Sequence, residues 1–195
     1  MTIQIRSAPV HQLDAPRAAV VATRLAEIMG IFDRPVGRRV DRALVGSVIE
    51  AAADAGLAEQ VAARADAAAP GDATIHALLD ALIASPLPAS EIGRLAAIFG
   101  YPELERLTGT SEPSLRRYAG VARQTPDPVA RRIHFLATLV AILRGSFNEF
   151  GIRRWLDRPH PALGGRAPVE LLTAAAEPDD ERGEAIMDAA LELLA

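Results

Sequence analysis

The run from Gly151 to Leu172, GIRRWLDRPHPALGGRAPVELL, leaves its backbone few choices. It places the single tryptophan, Trp155, at the end of a short amphipathic helix. Pro159, Pro161 and the pair Gly164-Gly165 follow, and Pro168 opens another apolar turn with Val169, Leu171 and Leu172. Paired glycines admit positive φ, and proline suits the first helical position because its missing N–H would be unpaired there anyway. The segment therefore reads as helix, tight irregular link, helix.

The rest of the chain points to the same fold class. Half of the 195 residues are apolar but only 4% are aromatic, so any core is built from Ala, Leu, Val and Ile. Ala and Leu head the helix scale, whereas the residues that favour strands are sparse. An all-α fold is expected, long enough for one larger domain or two small ones. Every one of the 21 basic residues is Arg, which reads as coding bias in a GC-rich genome. The absence of cysteine excludes disulfides, thiol catalysis and cysteine metal sites. No signal-length or bilayer-spanning apolar run occurs, so a cytoplasmic chain without membrane contact is expected.

A net charge of −4 argues against a generic nucleic-acid binder, but the charge is uneven. Tyr101 to His160 holds ten Arg against six acids, and Glu170 to Ala195 one Arg against eight acids. That suits DNA in one place and a basic partner in another, or simply two solvated helix faces.

Capping residues, prolines and glycines divide the chain into helices. Residues 1–13 read as extended, with Ile3 and Ile5 alternating too briefly for a strand. Asp14 caps a helix carrying Val20, Val21, Leu25 and Met29, which Gly30 stops. A second helix is predicted from Arg38 to Ala55, and an Ala-rich one from Leu57 to Ala69. Asp72 caps a helix with Ile75, Leu78, Leu79 and Leu82, closed by Pro86 and Pro88. Ser90 then caps a helix through Phe99. After Pro126 and Pro128 a long helix runs to Arg144, followed by one with Phe147, Phe150, Ile152 and Trp155. Pro178, Asp179 and Asp180 open a last helix, Glu181 to Leu194.

Between these, Glu103 to Thr108, the Gly109 turn, and Glu112 to Ala119 behind Ser111 outline a helix-turn-helix. LERLTGTSEPSLRRYAG resembles the Xre-type pattern, and that resemblance places Ser111, Glu112, Ser114, Arg116 and Arg117 near operator DNA. Hydroxyls and guanidinium forks suit phosphates and guanine edges. Glu105 stands where the pattern has a small residue, so a helix pair kept only for structure or dimer formation is the alternative.

The segment from Gly151 to Leu172 resembles the toxin-binding C-terminal domain of the Xre/MbcA/ParS antitoxins, with their W-L-x-x-P link, L-G-G-x-x-P turn and Leu-Leu helix. The resemblance implies an antitoxin that covers the active-site entrance of a cognate toxin, commonly a RES-type enzyme that consumes NAD, and that, like many members, binds its own promoter DNA and autorepresses its operon. It also implies a homodimer within a toxin–antitoxin complex. The expected division is 1–75, a helical extension of unknown role; 76–126, the helix-turn-helix region; and 127–195, the toxin-binding domain. Its toxin-binding residues are Arg154, Trp155, Arg158, Pro159, His160, Leu163, Gly164, Gly165, Arg166, Pro168, Leu171 and Leu172.

Trp155 is either an interface anchor or core. Arg153, Arg154, Arg158 and Arg166 flank the loop, where they meet a partner's carboxylates, a phosphate, or only solvent. Gly164-Gly165 is a turn and no phosphate-cradling loop, because no strand precedes it. His11, His76, His134 and His160 lie too far apart in sequence for a metal site, and Asp179, Asp180 and Glu181 complement a helix dipole. No nucleophile elbow, acid/base pair or cofactor motif is present, so neither catalysis nor a cofactor is expected. The alternative to an antitoxin is a stand-alone helix-turn-helix transcriptional regulator that has no toxin.

Overall fold

The computed structural model describes residues 13–34, 37, 39–66, 68–172 and 180–194. The expectations placed on Ile3, Ile5, His11, Arg38, Pro178 and Asp179 fall outside them. The described residues form α1 (Ala15–Ile28), α2 (Arg42–Asp54), α3 (Glu59–Ala62), α4 (Asp72–Ile83), α5 (Pro88–Phe99) and α6 (Tyr101–Thr108). They continue with α7 (Glu112–Ala119), α8 (Asp127–Leu143), α9 (Glu149–Asp157), α10 (Pro168–Leu171) and α11 (Glu181–Leu191). Short 3-10 turns occupy Pro161–Leu163 and Glu192–Leu194. The fold is all-α, with no strand among the described residues.

Side chains set many of the helix starts. The carboxylates of Asp14 and Asp41 accept the N–H groups of Arg17 and Leu44 at 3.0 and 2.8 Å. Asp180 accepts those of Arg182 and Gly183, both at 3.0 Å. Each supplies an acceptor to donors that lack an intrahelical partner. Helix α1 lies at the centre of the molecule, against α4 and α8. Its face of Ala18, Val21, Ala22, Leu25 and Ala26 is wholly buried, and the small alanines let neighbouring helices approach closely. Helix α5 packs on α7 and α8, and α11 on α8, so one core cluster runs from Ala15 to Ala190.

Several boundaries differ from expectation for identifiable reasons. Helix α2 starts at Arg42, because Asp41 provides the cap. The predicted helix from Leu57 to Ala69 shrinks to Glu59–Ala62. Alanine propensity does not offset the cost of nucleation when a helix has no side-chain cap and no fully buried residue. Gly71 takes the cap position of α4, leaving Asp72 as its first residue. Pro88 opens α5 instead of closing α4, and Ser90 bonds back to the Leu87 carbonyl at 3.2 Å.

A buried polar link joins three helices. His134 Nδ1 lies 2.7 Å from Glu91 Oε1, and its Nε2 donates to the Ile83 carbonyl at 3.0 Å. Glu91 Oε1 also accepts the Leu87 N–H at 3.1 Å. Satisfying these groups within the core pins the end of α4 and the start of α5 to α8.

Candidate toxin-binding site

Helix α9 begins where Asn148 accepts the Gly151 N–H at 2.9 Å. A Cβ added at Gly151 would stand 2.9 Å from the Cβ of Phe147, so glycine lets that ring lie on the helix. Ile152, Trp155 and Leu156 form its buried face. Phe150, Arg154 and Arg158, four residues apart, lie along the exposed face.

The loop after α9 is held by its own hydrogen bonds. The His160 N–H donates to the Arg166 carbonyl, and the Gly165 N–H to the His160 carbonyl, both at 3.0 Å. Gly164 and Gly165 have φ of 64° and 79°, as the glycine pair allows. No atom lies within 4 Å of a Cβ built at either, so backbone conformation alone demands glycine there. His160 Nε2 donates to the Trp155 carbonyl at 2.9 Å, and the two rings lie 4.7 Å apart. Leu163 and Leu171 are buried, and Pro168 opens α10, where Glu170 accepts the Ala167 N–H at 3.3 Å.

An open groove of about 600 Å³ lies between α9, this loop and the C-terminal turn. Phe147, Trp155, Pro159, Ala189 and Leu193 give it apolar walls, and Arg154, Arg158 and Glu192 line it as well. Trp155 is only 5% exposed, so it shapes the site from beneath. Arg154, Arg158 and Arg166 are exposed and make no ion pair among the described residues.

Two arginines fasten α9 to the preceding helices. Arg106 pairs with Glu103 at 2.5 Å and Asp157 at 2.8 Å, and these carboxylates hold its pKa above the ordinary arginine value. Arg153 donates to the Ile98 carbonyl.

The residues expected near DNA are brought together on α7, yet all are engaged with neighbours. Ser111 occupies the cap position without capping; its hydroxyl meets that of Ser114 at 3.0 Å. The cap comes from Glu105, whose carboxylate accepts the Glu112 N–H at 2.8 Å. Arg116 pairs with Glu112 at 2.7 Å, and its guanidinium carbon lies 3.9 Å from the centre of the Tyr101 ring. Arg117 donates to Ser114 Oγ at 3.2 Å. Among the described residues no group of three His, Asp or Glu side chains is placed to hold a metal ion.

Residues 148–179 match the family model of the antitoxin Xre/MbcA/ParS C-terminal toxin-binding domain. This part of the chain is similar to the toxin-binding domain of those antitoxins. The match starts at Asn148, the cap of α9, and spans every residue from Arg154 to Leu172 read above as a toxin contact. It does not reach α7. No curated protein and no solved structure matched the chain. Within the matched segment, the outward placement of Phe150 escaped the sequence reading. Its position four residues before Arg154, off the face of Ile152, Trp155 and Leu156, was the signal for it.

Proposed function

We propose that this antitoxin neutralises a RES-type, NAD-consuming toxin by seating the loop Pro159 to Arg166 and the exposed face of α9 on it. The observation that carries the reading is that Arg154 and Arg158, lining an apolar groove, and Arg166, on the adjoining loop, are exposed and without an ion-pair partner among the described residues. Arginine forks at an interface suit carboxylates of a partner, and an apolar groove takes up a side chain between them. Co-expression of the full chain with the product of the adjacent gene tests it. The pair should co-purify and the toxin's NAD consumption should cease, while Arg166→Glu should weaken the complex without altering helicity. Failure of the adjacent product to bind the wild-type chain would overturn the reading.

A second activity, autorepression through operator DNA, is favoured by the placement of α6 and α7 on either side of the Gly109 turn. In this reading Arg117 and Ser114 contact phosphate, while Glu112 and Arg116 neutralise each other. Arg117→Ala should lower the salt dependence of operator binding by about one phosphate contact, and Arg116→Ala should change it less.

A further inference from the structure

The two walls of the groove carry opposite charge. Arg154 and Arg158 line it from α9, and Glu192, in the turn after α11, lines it from the other side. Asp188 lies four residues before Glu192 and is exposed like it, so each wall presents two like charges about one helical turn apart. None of these four side chains has an ion-pair partner among the described residues. Phe147, Trp155, Ala189 and Leu193 supply the apolar surface that they border. Like charges one turn apart repel, so each wall gains from a counter-charge that the chain itself does not bring. The family match ends at residue 179, and neither acid falls within it.

We propose that the groove selects its partner by the direction of its charge: it takes an amphipathic helix of the toxin with acidic side chains along the edge facing α9, basic ones along the edge facing α11, and an apolar row between. This rests on the toxin reading above and adds α11 to it. Simpler occupants fit less well. A phosphate-bearing or wholly acidic ligand satisfies Arg154 and Arg158 but meets Asp188 and Glu192 with like charge. A wholly basic one meets the arginines in the same way, and a neutral one leaves both walls without a counter-charge. A helix laid in an apolar groove places both signs on either side of its buried row. Entering the other way round, it brings like charges together on both walls, so the polarity sets orientation as well as partner.

Dissociation constants of the full chain with the purified product of the adjacent gene test this. Arg154→Glu/Arg158→Glu and Asp188→Arg/Glu192→Arg should each weaken binding by at least about tenfold, with circular dichroism unchanged. Arginines near the end of α11 complement the helix dipole, which favours folding of the second variant. Asp188→Asn/Glu192→Gln should weaken binding less than the reversal. Glu50→Arg/Asp54→Arg makes the same change of charge on the exposed surface of α2 and should bind as the wild type does. The fourfold variant joining both groove reversals has the wild-type net charge but the opposite polarity, and it should bind no better than either pair alone. Recovery of binding in that variant, or a reversal on α11 that matches the α2 control, overturns the proposal. If the arginine pair alone matters, the toxin reading stands without it; if the wild type does not bind, both fall.

Discussion

The Glu105 carboxylate reaches across the Gly109 turn to accept the Glu112 N–H at 2.8 Å. Helix α7 is thereby capped by a side chain seven residues upstream, and the start of the helix already faces an anion. Glu105→Ala should cost about 1 kcal/mol, the usual scale of a lost cap. Ser111→Ala should cost less, because its hydroxyl bonds only to Ser114. Urea unfolding of both variants beside the wild type checks the order.

The glycine pair gives a sharper contrast. Gly164→Val and Gly165→Val place a β-branched residue at positive φ in open space, so each should cost about 1–2 kcal/mol through the backbone alone. Gly165→Asn should cost less, since asparagine tolerates this region better. Gly151→Ala should destabilise by a different route, the collision with Phe147. Thermal melts of the four variants separate the two mechanisms.

His76 makes stability depend on pH. Its ring faces the carbonyls of Leu13 and Asp72, each at 2.8 Å, and these hydrogen bonds raise its pKa while burial opposes them. The folded value lies above the unfolded one, near 6.5. The stabilisation is therefore complete below the unfolded value and is lost as pH rises through the folded one. Urea midpoints of the wild type should fall across that window relative to those of His76→Gln. Parallel pH profiles for the two proteins would contradict this.

Val121 is the non-glycine residue with positive φ among the described residues, at 57°, and it is 78% exposed. Its N–H closes the end of α7 on the Tyr118 carbonyl at 3.1 Å, and Gly120 falls one position too early to take the strained conformation. Val121→Gly relieves the strain without losing packing and should stabilise by about 1 kcal/mol. A melting temperature higher by about 2–4 °C would follow at this chain length.

What could be read from the sequence was local. The helix Glu112–Ala119, its Gly109 turn, and the Gly164-Gly165 loop follow from residues within a few positions of each other. The alanines of Leu57 to Ala69 misled because propensity says nothing of burial, and the face that a helix buries is chosen by distant partners. Glu91 and His134 pair across 43 residues, and neither flank marks the other. The groove had the same origin: its far wall is the end of α11, which tertiary packing alone brings to α9. For the same reason the sequence did not separate Phe150, which faces solvent, from Ile152 and Trp155, which are buried.

The single tryptophan lies under the loop with the His160 imidazole 4.7 Å from its indole. The chain thus carries its own optical probe at the place where a partner would land. Intrinsic fluorescence, excited where tyrosine contributes little, reports on that one indole, and a shift of the imidazole alters its brightness by contact quenching. Seating of a tryptophan-free partner on the loop can be titrated by emission alone, with no dye attached to a surface that has neither thiol nor lysine to receive one.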